Sequence, residues 1–475
     1  MGKDKKNQDC AVNCRAVTPV HPGSSEFINP YNFVRVEKPA ECDRTSYTKK
    51  VDHAKFHDNL NTGKLRCKIK AISPMFIPDM TTKKECKKVE GKWHYEYNLF
   101  KINEKPAIPG TSIKGMLRSV YETITNSCFS QISKEEEKIN FREGGSKSTF
   151  NKNVYNTLEN FSEHLLPCRD IQKLCPACKL FGAVDLQGVN TDETVSLAGK
   201  IKITNALLNN DSHGRTETVT LKILGSPHET ATSFYLINEN YDNSSAIIKK
   251  TNAGYDQTPQ PILRGRKYYW HQCNDKTRLK KSAYEAQAKD KQPKCNNQNA
   301  TVELLKEGAE FEFDLYFENI TKEELALLIW CLELENNMLH KLGHGKPLGL
   351  GSIKINIDYE NSYLVDIKTR YLDINSDGKT SLKDFKLTSA IECGEVNCRL
   401  KFKNNGTEIV AFEIKNRMNY EDLVMILTPH PELFDKIKYP ASQATGYKWF
   451  SDNSEQQLCT IHETVTEKKT QDGFS

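Results

Sequence analysis

Six segments of alternating hydrophobic period constrain the fold of this chain more than any other feature. Over Lys64 to Ile72 the period is two. Leu65, Cys67 and Ile69 share one face, and Lys64, Arg66, Lys68 and Lys70 share the other, the pattern of a half-buried strand. Behind the Pro109-Gly110 turn, Ile113, Met116, Leu117, Val120, Tyr121 and Ile124 recur at helical spacing. That predicts a helix over 112–126, capped by Thr111 or Ser112. Gly199 to Leu207 reads as a strand with Ile201 and Ile203 on one face. Phe311, Phe313, Leu315 and Phe317 alternate with Glu310, Glu312 and Asp314, again a strand. Thr321 and Glu324 form a capping-box signature ahead of Leu325, Leu328, Ile329 and Leu332. A glycine-rich turn over 343–351 then leads into a strand over Ser352 to Tyr359.

Strand, helix, strand, strand, helix, strand is the split βαβ order of a ferredoxin-like fold, so the chain reads as α+β. Its connections are far longer than such a core needs, which predicts insertions hung from a small sheet. The resulting division is a polar segment over 1–60, a core over 61–359 and an α+β appendage over 360–475. Insertions fall near 128–198 and 239–300 of the core. Within them, 131–155 reads as a charged surface excursion, Thr218 to Leu224 as a strand, and 274–300 as an exposed polar segment. Asn29 to Val34 forms an apolar clasp able to dock on a later core. The opposite-signed faces of the strands at 64–72 and 310–317 predict cross-strand ion pairs if the two are neighbours.

Composition narrows the function. Of 475 residues, 37% are hydrophobic and 27% charged, which excludes wholesale disorder. No run of about 18 apolar residues exists, so no membrane span is expected. The polar, lysine-rich start has no apolar h-region, and Lys6 stands where a myristoylation motif wants Ser or Thr. A cytoplasmic chain is therefore expected. Its 15 cysteines are then mostly buried thiols, with a clustered subset as metal ligands. The net charge is only +5, unpromising for a nucleic-acid binder. That average hides a local excess. Residues 262–294 hold ten Lys and Arg against three Asp and Glu, a local +7, which predicts one basic groove on a mixed surface.

Four patterns carry candidate chemistry. The Pro-Gly-Thr-Ser turn runs into a helix start, where free N–H groups and the dipole favour an anion. Ser112, Lys114 and Arg118 add donors there; the ordinary alternative is a capped helix with exposed cations. In the glycine-rich turn, Gly345, Gly349 and Gly351 allow close backbone approach, with Lys341 and Lys346 beside them. Within 262–272, Arg264, Arg266 and Lys267 interleave with Tyr268, Tyr269 and Trp270. The cations suit phosphates and the rings suit base stacking, unless the rings fill the core. Finally, Cys168, Cys175 and Cys178 read C-x6-C-x2-C, a knuckle for structural Zn²⁺. His164 is the preferred fourth ligand and Cys128 the alternative.

Asp373, Asn375, Asp377, Ser381 and Asp384 fall at positions 1, 3, 5, 9 and 12 of an EF-hand-type loop, with Gly378 at 6. They predict a Ca²⁺ site, against the ordinary reading of a polar hairpin turn.

Pro106 to Arg118, Cys175 to Gly182 and the turn at 343–351, in that order, resemble the RAMP superfamily of CRISPR-associated proteins. The likeness is strongest to backbone subunits of type III RNA-guided effectors. Pro30-Tyr31-Asn32-Phe33 and Gly446-Tyr447-Lys448-Trp449-Phe450 are similar to a large-subunit branch. The resemblance covers roughly 28–359 well and the tail weakly. It implies a ferredoxin-like, RRM-related core that lies along a guide RNA and its target RNA beside other type III subunits. In such proteins a metal-bound aspartate between the first strand and the Pro-Gly helix start often cuts the target. Asp79 is the candidate for that role, with Mg²⁺, although Glu96 to Lys105 contains no Asp. A metal-stabilised interaction module without RNA is the alternative from another class.

Overall fold

The computed structural model describes residues 28–38, 53, 55–57, 59–82, 84–89, 92–132, 139–143, 146–187, 194–209, 216–225, 230–237, 254–286, 298–383, 387–394, 398–404, 407–414, 417–441, 447–449 and 458–471. In chain order, the elements that matter here are β1 (Tyr31–Val34), β2 (Asn61–Ala71), β3 (Lys105–Ile108), α1 (Gly110–Ile124), α2 (Pro176–Phe181), β4 (Ile201–Ile203) and β5 (Ala206–Leu208). They continue with β6 (Arg266–Tyr269), β7 (Glu310–Ile320), α3 (Lys322–Glu333), β8 (Ser352–Val365) and α4 (Arg417–Leu427).

The chain is a mixed α+β structure with several sheets. In the largest sheet β2 is central, flanked by β8 and β7. On its far side β7 pairs with β4 and β5, and β5 pairs with β3. All of these ladders are antiparallel. α1 lies between β2 and β4 in sequence, and α3 between β7 and β8. The two helices pack against each other, and α3 also packs against β8.

The alternation seen in the sequence explains which face they cover. Leu65, Cys67, Ile69, Phe311, Phe313, Leu315, Phe317, Ile353 and Ile355 are all buried in the main core. On the other face Arg66 pairs with Glu312 at 2.5 Å and Asp314 at 3.0 Å, and Lys68 with Asp358 at 3.1 Å. The expected cross-strand ion pairs are therefore present. α3 carries the expected capping box: Glu324 N–H donates to Thr321 Oγ1, and Thr321 N–H to the Glu324 carboxylate.

Several boundaries differ from expectation. The last core strand does not stop at Tyr359 but continues to Val365. A register shift lies opposite Lys64 and Arg66, with Ser362 Oγ donating to Asp358 O and accepting Arg66 N–H. The strand expected over 218–224 lies at Thr216–Thr220. The region 131–155 is not merely a surface excursion. Ile139, Phe150, Leu158 and Leu165 form a second core with Leu236, Tyr255 and Leu263. Likewise 274–286 is anchored through buried Leu279, Tyr284 and Ala286, while 287–297 and 239–253 lie outside the described residues.

The apolar clasp docks as expected. β1 pairs antiparallel with β6, Tyr31 opposite Tyr269 and Val34 opposite Arg266. Tyr31 and Phe33 then pack with Phe234, Trp449 and Leu458, so the segments around 31–33 and Trp449 meet in one cluster. Gly446 and Phe450 lie outside the described residues. Among the described residues no helix is long and apolar enough to cross a membrane.

Candidate nucleic-acid interface and cysteine quartet

α1 starts two residues earlier than its periodicity suggested. Pro109 is the N-cap, without a side-chain cap, and no acid lies in the first turn. Instead Gly110 N–H donates to Asn205 Oδ1 at 2.9 Å. A side chain at Gly110 would strike the carbonyl oxygens of Ile203 and Thr204. Glycine therefore lets the helix start abut the β4–β5 corner, and Thr111 and Ser112 fall inside the first turn.

Above this helix start lies a cavity of about 450 Å³. Ser112, Gly115 and Ser119 of α1 form one wall, and Lys267, Tyr268 and Tyr269 of β6 a second. The glycine-rich turn forms a third through His340 to His344 and Lys346, and Ile77, Pro78 and Met80 complete the rim. Three separate motifs, at 109–119, 267–269 and 340–346, thus converge on one concavity. Among the described residues no carboxylate lines it. Beside Gly115 the space is open.

The cavity gathers cations against aromatic faces. Lys267 Nζ sits 3.7 Å above the Tyr31 ring and within 5.6 Å of the Tyr235 and Tyr269 ring centres. Lys346 Nζ lies 6.0 Å from the Tyr269 ring centre. Burial pushes Lys267 down to about 8 and lowers Lys346 as well. Desolvation penalises an ammonium that no carboxylate neutralises, so an anion entering here would be favoured.

The remaining residues expected to contact RNA have other partners. Lys341 is buried, and its ammonium donates to Gly349 O at 2.9 Å and Leu350 O at 3.2 Å, bracing the turn from within. Burial takes its pKa down to about 8. Gly345, Gly349 and Gly351 all have positive φ. A Cβ at Gly351 would strike Leu342 O, so that position is a steric requirement of the turn. Arg264 is buried and donates to Leu458 O at 2.7 Å. Arg266 is buried too. It donates to the carbonyls of Ser127 and Cys128, pairs with Glu122 at 3.3 Å and lies 4.0 Å from the Phe129 ring centre. Arg118 bonds Glu122 at 2.7 Å, Gly182 O at 3.0 Å and Cys178 Sγ at 3.4 Å. These arginines hold the scaffold together. Lys114 is half-buried and does not line the cavity; burial lowers its pKa.

A second constellation lies beyond α1. The Sγ atoms of Cys128, Cys168, Cys175 and Cys178 are within 4.8 Å of one another. Cys128 Sγ is 3.5 Å from Cys178 Sγ and 3.6 Å from Cys175 Sγ. Four thiolates about 2.3 Å from a tetrahedral Zn²⁺ stand about 3.8 Å apart, so the set has suitable dimensions. Cys175 caps α2, its Sγ accepting Cys178 N–H at 3.4 Å, and Cys168 Sγ accepts Cys175 N–H at 3.3 Å. The neighbouring Cys168, Cys175 and Cys178 sulfurs, together with burial, push the Cys128 thiol well up. A cation is what allows such a crowd to ionise together.

Cys128, not His164, completes the quartet. His164 sits in the single turn Glu163–Leu165, whose Leu165 is driven into the second core, and the imidazole lies outside the four-sulfur group. α1 ends at Ile124, and the turn after it delivers Cys128 to the other three. The end of the helical periodicity just before Cys128 was the available signal for this residue.

Asp79 lies between two rim residues, but its side chain is exposed. Its Oδ1 accepts Thr81 N–H at 2.9 Å and Thr81 Oγ1–H at 2.7 Å, and these hydrogen bonds hold its pKa low. In the expected calcium loop, Asp373 Oδ1 accepts Asn375 N–H and Asp377 pairs with Lys379 at 3.0 Å. Ser381 Oγ accepts Lys383 N–H, in a short strand, Lys379–Ser381, paired with β8. Asp384 lies outside the described residues.

A family model described as the RAMP superfamily matches residues 13–354. A solved structure described as a type IV-B CRISPR complex aligns at 12% identity over 63% of this chain and 91% of that one. Its TM-score is 0.24, too slight a likeness to carry an argument. No curated protein matches the chain. With the family model spanning well over half its length, the chain belongs to the RAMP superfamily.

Proposed function

We propose that this chain is an RNA-binding backbone subunit of a type III CRISPR RNA-guided effector, holding guide RNA and its target beside other subunits. The observation that carries this reading is the carboxylate-free cavity where the α1 start, the glycine-rich turn and β6 converge. Lys267 and Lys346 supply positive charge, Ser112 a hydroxyl, and the first turn of α1 its helix dipole. Tyr269, within about 6 Å of both ammonium groups, offers a face against which ribose or base can pack.

The strand order also fits. Taken as first to fourth, β2, β4–β5, β7 and β8 lie in the order fourth, first, third, second, with α1 and α3 as the two crossovers. That is the arrangement of a ferredoxin-like core. We read the cysteine quartet as a structural Zn²⁺ site: Cys128, Cys168, Cys175 and Cys178 fill all four positions and leave none open for chemistry. Asp79 is not among the residues lining the cavity, and its Oδ1 is engaged by Thr81, which favours holding RNA over Mg²⁺-dependent cutting.

The test is to purify the chain with its native particle and extract the nucleic acid. RNA of discrete length, lost when Lys267→Ala and Lys346→Ala are combined, is the expected result. A particle free of RNA, or one whose RNA is indifferent to both lysines, would sink the proposal.

A further inference from the structure

A second cavity, of about 310 Å³, adjoins the first. Pro78, Met80 and His344 line both, so these three form the ridge between them. The linings differ in chemistry. Lys267, Lys341 and Lys346 line the first cavity; the second has one lysine, Lys222, and is walled by Phe76, Tyr95 and Tyr97. The rings run as a chain. His344 is edge-on to Phe76 at 6.3 Å, Phe76 to Tyr97 at 6.5 Å, and Tyr97 is tilted against Tyr95 at 6.4 Å. Both tyrosines are half-buried and His344 is exposed, so ring surface faces the opening. Gln298 and Asn299 line the same cavity, and among the described residues no carboxylate does. Met80, 65% exposed on the shared ridge, adds apolar surface where a chain would cross from one cavity to the other.

We propose that this second cavity takes an unpaired nucleobase of the RNA whose phosphates lie in the first. This rests on the RNA-binding reading above and adds to it a stacking site. A flat aromatic guest suits a wall of rings, and the absent carboxylates suit a polyanion. The volume falls at the small end of ligand pockets, enough for one base and not for a duplex. His344 separates the sugar-phosphate track from the base.

The experiment uses the full chain, fluorescence anisotropy, and two single-stranded RNAs of equal length, one ordinary and one with abasic riboses. Wild type should bind the ordinary RNA more tightly. The Tyr95→Ala, Tyr97→Ala double variant should bind it about tenfold more weakly, the effect of losing one stacked base, and bind abasic RNA as wild type does. Tyr97→Phe keeps the ring and should keep the affinity, which separates stacking from folding. Undiminished affinity in the double variant, or equal losses on both RNAs, overturns the inference. If Lys267→Ala weakens both RNAs while neither base removal nor tyrosine removal matters, the stacking site falls and the RNA-binding reading stands. A wild-type chain that binds neither RNA overturns both.

Discussion

Arg118 reaches back from α1 to place its guanidinium 3.4 Å from the Cys178 sulfur. Its Nε simultaneously holds Glu122 at 2.7 Å, and Glu122 also takes Arg266 at 3.3 Å. Arg266 neighbours Lys267, whose ammonium lines the cavity. The cysteine quartet and the candidate RNA cavity are thus joined through one buried carboxylate, 7% exposed.

Metal content tests the quartet. The purified chain should carry one zinc per molecule. Cys128→Ser should abolish it, and His164→Ala should leave it unchanged. Loss of zinc should lower the melting temperature by on the order of 5–10 °C, since an ion held there would staple a loop region to the segment after α1. Elemental analysis with a thermal melt decides it; a His164→Ala chain that loses its zinc would restore the imidazole as a ligand.

Arg266→Met leaves Glu122 buried with Arg118 as its remaining guanidinium and strips the Ser127 and Cys128 carbonyls of a donor. Breaking a buried pair typically costs about 3–5 kcal/mol. Urea unfolding should show a loss of that order, whereas Lys267→Ala should leave the midpoint nearly unmoved. Similar stabilities for Arg266→Met and wild type would contradict the scaffold role.

The depressed lysines give the pH dependence. Lys267 and Lys341 titrate at about 8 in the folded chain and at about 10.4 when unfolded. Between these values the unfolded chain binds more protons, so stability from these groups rises with pH over that window. RNA affinity moves the other way, because phosphate needs the charged ammonium. Binding measured from pH 7 to pH 9.5 should weaken through about 8, and Lys267→Arg should flatten the profile. A profile equally steep in that variant would remove Lys267 from phosphate contact.

Salt dependence counts the contacts. For single-stranded RNA each phosphate neutralised contributes about −0.7 to the slope of log affinity against log salt. Lys346→Ala should therefore make the slope shallower by about 0.7. Arg264→Ala should not change it, because Arg264 is buried against Leu458 O. An altered slope in Arg264→Ala would return that residue to the RNA surface.

Asp79→Asn should leave RNA affinity unchanged, and bound target should stay intact with Mg²⁺ before and after the substitution. A Mg²⁺-dependent cut lost in Asp79→Asn, followed on a denaturing gel, would reverse the assignment in favour of a nuclease.

The elements of the sheet were legible because their signal is local. Leu65, Cys67 and Ile69 alternate with cations, and Phe311 to Phe317 alternate with acids, so burial of one face follows from the two-residue repeat. The three motifs around 110, 267 and 345 were visible for the same reason, as was the C-x2-C knuckle. Their convergence was not. Arg118, Arg264 and Arg266 resemble Lys267 and Lys346 in charge and setting along the chain. A guanidinium, however, can reach partners far away in sequence, and packing alone decided that the arginines turn inward to carbonyls, Glu122 and a sulfur. The same holds for Cys128 against His164. Spacing near the knuckle favoured the imidazole, but the exit from α1 brings the distant thiol to the other three. Sequence by itself determined periodicity, turn chemistry and ligand types. Tertiary structure determined which cations remain beside open space, because desolvation and long-range contacts are properties of the packed chain.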